Sequence, residues 1–225
     1  MSSNTLFASS SRALPRALRL GLLLAGSLSL GNAWAEPYLW LGGDAGGVQA
    51  QTGELLHEGP AEASPALQKA RAFLADGKDL PLQPATAGYR LAKPSAAGDL
   101  RFTAQAVASD GSLRLYEARY GRSETKAIND LELVPTEPNG TRFRLFWKGN
   151  PVPASEVTVE TSAGWQQTLH GEVDGSIALT TPQYPTLFKS RYVLQVTAKV
   201  NGKVTVDGKT YEDVRHVATL SFDVQ

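Results

Sequence analysis

Residues 192–224 read YVLQVTAKVNGKVTVDGKTYEDVRHVATLSFDV, and the spacing within this stretch decides the fold class. Tyr192, Leu194, Val196, Ala198 and Val200 fall on one side of a two-residue period, the signature of a strand with one face on a core. Asn201-Gly202 then supplies the positive φ angles of a tight turn, which predicts a hairpin with Lys203-Val204-Thr205-Val206 as its second strand. His216, Ala218, Leu220, Phe222 and Val224 repeat the alternation, with Thr219, Ser221 and Asp223 opposite.

Moving outward, the same period returns at Arg142–Lys148, where Phe143, Leu145 and Trp147 share a face and Trp147 reads as core. Strands are predicted at Tyr38–Leu41, Val48–Thr52, Leu100–Val107 and Leu113–Tyr120. Asn139-Gly140, Asp76-Gly77, Asp110-Gly111, Asp174-Gly175 and Asp207-Gly208 mark further turns. Short strands roughly every 8–12 residues suggest a Greek-key sandwich of immunoglobulin-like type. One helix is expected: Ser64 caps it, Pro65 takes its first position, Leu67, Ala70, Arg71 and Leu74 form its apolar stripe, and Asp76-Gly77 stops it. The expected fold is therefore mainly β, with two β-sandwich-like halves. Residues 36–128 form an N-terminal half with the short helix, residues 129–225 an immunoglobulin-like C-terminal half, and the boundary falls near Ala127–Asp130.

Residues 1–35 read as an export signal. Arg12, Arg16 and Arg19 form a basic region, Leu20–Leu30 an apolar run too short to span a bilayer, and Ala33-Trp34-Ala35 an A-x-A cleavage site. Cleavage there starts the mature chain at Glu36 and places it in the periplasm, with no membrane insertion of the mature chain. Loss of the three arginines takes Lys+Arg from 22 to 19 against 22 Asp+Glu. No basic cluster tracks a phosphate backbone, so nucleic acid is not an expected partner. The chain has no cysteine, and Met1 is its only methionine. Disulfides, thiolate catalysis and soft-ligand copper(I) sites are thereby excluded, and any metal would be held by histidine, carboxylate or backbone.

The search for catalytic groups gives a non-enzymatic reading. Ser123-Glu124-Thr125-Lys126 fits S-x-x-K but lies in a polar stretch rather than opening a substantial helix. No G-x-S-x-G elbow and no phosphate-binding glycine loop occurs. Among carboxylates, Glu54 with Glu58 or Glu212 with Asp213 would be needed for a glycan hydrolase, and nothing singles out either pair.

The three histidines are His57, His170 and His216. Glu54, His57 and Glu58 are three and four residues apart and can approach one ion from a loop or a helical turn. His216 opens the last strand on its apolar face, whereas His170 reads as an exposed turn residue. Tyr38, Trp40 and Trp165 are candidates for a partner-binding aromatic surface, against the commoner role of tryptophan in a small β core.

Several segments together carry a family likeness. Tyr38-Leu39-Trp40-Leu41 is similar to the opening strand of the periplasmic NikM-like proteins associated with nickel and cobalt uptake, and Thr52-Gly53-Glu54 to their following Phe-Gly-Glu segment. Lys148-Gly149-Asn150-Pro151-Val152-Pro153-Ala154-Ser155-Glu156-Val157 resembles the loop they share with carboxypeptidase-regulatory-like β domains. Val173-Asp174-Gly175 and His216-Val217-Ala218-Thr219-Leu220-Ser221-Phe222 look like their next turn and closing strand. The resemblance implies a two-part periplasmic accessory protein of a nickel- or cobalt-type uptake system. It would either bind the divalent ion or dock to an inner- or outer-membrane transporter component. By this resemblance His216 is the first metal candidate and Glu54 the next; His57 is a candidate from its spacing to Glu54 alone. In one respect the chain departs from the family: it opens Glu36-Pro37-Tyr38 where a histidine is common, and proline has no N–H for an N-terminal chelate. The alternative reading is a metal-free periplasmic interaction module for an envelope protein or polymer.

Overall fold

The computed structural model describes residues 38–44, 46–56, 66–86, 88–91, 98–154 and 156–225. Residues 1–35, read above as an export signal, and His57 with Glu58 lie outside the described residues. All regular secondary structure among the described residues is β-strand. The first strands are β1 (Tyr38–Asp44), β2 (Gly47–Gly53), β3 (Gln68–Phe73), β4 (Asp79–Leu80), β5 (Leu82–Ala85) and β6 (Gly88–Leu91). Next come β7 (Leu100–Val107), β8 (Leu113–Tyr120), β9 (Leu131–Pro135), β10 (Arg142–Trp147), β11 (Asn150–Val152) and β12 (Glu156–Thr161). The chain ends with β13 (Gln166–His170), β14 (Ser176–Ala178), β15 (Ser190–Val200), β16 (Val204–Val206), β17 (Lys209–Tyr211) and β18 (Val214–Val224).

Eight of these strands form one sheet in the order β13-β12-β15-β18-β8-β7-β3-β4. Its pairs are antiparallel except β18 with β8, which run parallel over Val214–Ser221 and Leu113–Tyr120. That parallel pair joins strands from both sides of the expected boundary at 128/129, so the two halves share a sheet. Each face of the shared sheet has its own cover and its own core. On the first face, Val193, Tyr116, Ala118 and Val217 pack against Leu39 and Leu41 of the sheet β1-β2-β6-β5. On the second face, Tyr192, Leu194, Ala218, Leu220 and Phe222 pack against Leu133, Phe143 and Leu145 of β9 and β10.

Burial on both faces explains the polar side of β18. Thr219 and Ser221 were expected opposite the apolar face, and they are 2% and 0% exposed. Their hydroxyls donate to the carbonyls of Leu39 and Leu41, at 2.7 and 2.5 Å, and tie β1 across the sheet. The bonds satisfy two carbonyls that a sheet neighbour does not reach.

Two local expectations resolve differently. The described part of the expected helix, Gln68–Phe73, is β3; Ser64 and Pro65 lie outside the described residues. A register shift between Gln68 and Arg71, with Lys69 at φ 52°, inserts a bulge. From there Ala70, Ala72 and Leu74 alternate onto the first core, and the bulge gives Leu67 the three-residue offset that imitates a helix. The expected hairpin of β15 with Lys203–Val206 is likewise replaced. All eleven residues of β15 pair with β18. β16 pairs instead with β17, through Asp207-Gly208 at φ 53° and 78°. A three-residue strand cannot compete for β15 with an eleven-residue one that buries both faces, and the second turn signal captures it.

Candidate functional site: a histidine–carboxylate couple beside an open groove

His216 points from β18 into the second face, where its cross-strand neighbours are Ala198 of β15 and Leu115 of β8. Its Nδ1 lies 3.1 Å from Glu117 Oε2, and the same oxygen accepts the Leu131 N–H at 3.1 Å. Trp147, the last residue of β10, meets the imidazole edge-on, with ring centroids 4.7 Å apart and planes at 86°. His216 is 6% exposed and Glu117 7%. Burial pushes the Glu117 carboxyl up, against the downward pull of His216 and of the Leu131 amide. A carboxylate at Nδ1 favours the tautomer protonated there and leaves the lone pair on Nε2.

The remaining metal candidates are elsewhere. Glu54 follows β2 on the side of the first face. There the Tyr38 hydroxyl donates to Glu160 Oε2 at 2.5 Å and receives the Leu55 N–H at 3.0 Å. Burial, then the bond to Glu160, pushes the Tyr38 hydroxyl up, and the Glu54 charge adds to that push. Glu160 and His216 project from opposite faces of the sheet, so Glu54 and His216 do not converge. His170 ends β13 and is exposed. Among the described residues no three His, Cys, Asp or Glu side chains gather where they could hold one ion.

The aromatic candidates divide in the same way. Tyr38 and Trp40 are 2% and 6% exposed, so they belong to the first core and offer no partner surface. Strand β1 is pinned by Thr219 and Ser221, which turns both rings inward. Trp165 is half-buried in the turn between β12 and β13 and packs edge-on against Phe188, centroids 6.3 Å apart.

The S-x-x-K segment serves structure. Ser123 Oγ donates to Asp99 Oδ1 at 2.7 Å, and the Lys126 carbonyl accepts from Arg101 at 3.2 Å. Both bonds belong to a buried ion network on the second face. Arg101 and Arg119 are 0% exposed and share Glu132 Oε1, each at 3.0 Å. Arg119 also reaches Asp99 Oδ2 at 2.5 Å, and Arg101 reaches Glu124 at 2.8 Å. Burial alone would raise Asp99; the charge and hydrogen bonds of Arg119, with those of Ser123, outweigh it and hold the carboxyl below its usual range.

Beside His216 the second face opens into a groove of about 580 Å³. Leu131, Leu145, Trp147 and Val152 form one wall, Val196 and Ala198 the other. No sequence signal marked this groove, because the residues of its two walls are scattered over four strands, β9, β10, β11 and β15. Glu117 escaped for a similar reason, since a lone carboxylate in Leu113–Tyr120 reads as a solvent-facing residue. Neither protein-family models nor curated proteins give a match to this chain. Among the described residues no helix is long and apolar enough to cross a membrane.

Proposed function

We propose that residues 36–225 act as a non-enzymatic periplasmic accessory protein of a nickel- or cobalt-type uptake system. They do so by docking to an inner- or outer-membrane transporter component and do not themselves carry the ion. The observation that carries the docking limb is the open apolar groove between Trp147 and Ala198, set beside a histidine whose Nδ1 is already committed to Glu117. The metal-system limb draws on the resemblance of the segments at Tyr38, Lys148 and His216 to NikM-like proteins.

A second reading, in which the protein holds Ni²⁺ or Co²⁺ itself, is favoured by one feature. A carboxylate on the far nitrogen of an imidazole is the usual outer partner of a metal-ligating histidine, and Glu117 is so placed on His216. Calorimetric titration of chelator-stripped residues 36–225 with Ni²⁺, Co²⁺, Zn²⁺ and Fe²⁺, beside His216→Ala, separates the two readings. The docking reading predicts no stoichiometric heat with any ion. A stoichiometric site lost in His216→Ala would transfer the function to ion binding. The metal-free module for an envelope polymer shares the groove, and crosslinking in the periplasm separates it by whether a transporter component is captured.

A further inference from the structure

The groove has one wall that is unusual for a sandwich. Strand β15 is an interior strand, yet among the described residues β12 pairs with it only between Thr158–Thr161 and Tyr192–Gln195. Past Gln195 no further pair with β12 forms among the described residues, and Pro153, Ala154 and Glu156 line the far side of the groove. On its other edge β15 stays bonded to β18 as far as Val200. Among the described residues, Val196–Val200 is therefore a strand edge inside the sheet, about 16 Å long at the usual rise, with no strand paired to its outward N–H and C=O groups. All five residues border the groove; Val196, Ala198 and Val200 share the face of β15 that carries the second core, whereas Thr197 and Lys199 lie on the alternate face, Lys199 held by Asp213 at 2.8 Å.

A free strand edge running along an apolar slot defines its occupant. Alternating backbone donors and acceptors are matched by another extended backbone, and a slot on one side of it takes every second side chain. Charge adds a direction. Glu156 lines the end of the groove next to β12, is exposed, and among the described residues enters no ion pair.

We infer that this groove is a strand-addition site. It takes an extended segment of a partner protein, whose backbone pairs with Val196–Val200, whose alternate apolar side chains fill the slot against Trp147, and whose basic residue meets Glu156. This deepens the docking reading and rests on it only in requiring a protein partner.

The probe is a fluorescein-labelled pool of nonapeptides with Val, Leu or Ala at alternate positions, Thr or Ser between them, and Lys at one end. It is titrated with residues 36–225 by anisotropy. Saturable binding is expected. It should fall at least tenfold when alternate peptide amides are N-methylated, which leaves the side chains but removes the ladder. It should fall at least tenfold in Ala198→Glu and about fivefold in Glu156→Lys, an exposed change that leaves the fold alone. Absence of saturable binding, or equal binding of the N-methylated pool, overturns the inference. Periplasmic crosslinking from a photoreactive group at Glu137, exposed in the β9–β10 turn at the opposite end of β10 from Trp147, keeps the two proposals apart. A transporter component captured equally by the native chain and Ala198→Glu leaves docking standing and excludes the groove. Peptide binding as expected with no transporter component captured leaves the groove standing and removes the transporter.

Discussion

The second face of the eight-stranded sheet is closed in two contrasting ways. Under the loop that runs from Gly121 to Asp130, Arg101 and Arg119 are sealed completely, and their donors are met by the carboxylates of Asp99, Glu124 and Glu132 and by three backbone carbonyls. Beside β15, the Val196–Val200 segment presents valine and alanine to an unfilled slot. One region buries charge and satisfies it; the other exposes apolar surface and a bare backbone edge. A buried network of this kind is costly to desolvate and pins one arrangement of the loop between β8 and β9. An uncovered apolar edge adds nothing to the isolated fold and gains value when a partner covers it.

The contrast can be broken most readily at the ion network. Arg119→Met leaves the buried Asp99 without its cation and Glu132 with Arg101 alone, and should cost roughly 3–5 kcal/mol, read by urea denaturation. A loss below about 1 kcal/mol would mean that the network is looser than its burial implies. Acid should act on the same spot. Because the folded Asp99 carboxyl sits below its ordinary value of 3.8, the stability that it contributes is fully present above that value and is lost as the pH falls below it. Asp99→Asn should therefore start from lower stability at neutral pH and show a flatter acid limb.

The first face gives an intermediate case. Ser221→Ala leaves the buried Leu41 carbonyl without its donor and should cost about 1–3 kcal/mol. The groove should be the most tolerant. Ala198→Val adds two methyl groups to open space and should change stability by less than about 1 kcal/mol, while altering binding of the nonapeptide pool. A large loss there would show that the slot is packed in solution.

Strand positions were legible wherever one period ran unbroken, as at Leu100–Val107 and Leu113–Tyr120, whose ends the structure reproduces. The pairing was not, because periodicity says nothing about partners. β15 took β18 because only β18 matches its length and buries both faces, and a local turn signal cannot weigh that. The helix pattern at 64–77 illustrates the same limit, since one bulge at Lys69 turns an alternation into a helix-like spacing. For the site, His216 could be singled out as rare and on an apolar face. Glu117 and Arg119 could not, because a period-2 reading sends charged residues to solvent, and here a second layer covers that side. The open edge at Val196–Val200 exists only through the absence of a paired neighbour among the described residues, which no residue type announces.

The most direct test is residue-by-residue amide hydrogen exchange along β15 in residues 36–225. Val193–Gln195, paired on both edges, should exchange slowly throughout. Alternate amides within Val196–Val200 should exchange about a hundredfold faster and slow down when the nonapeptide pool is added. Uniform protection from Tyr192 to Val200 without peptide would contradict the open edge, and with it the docking site proposed there.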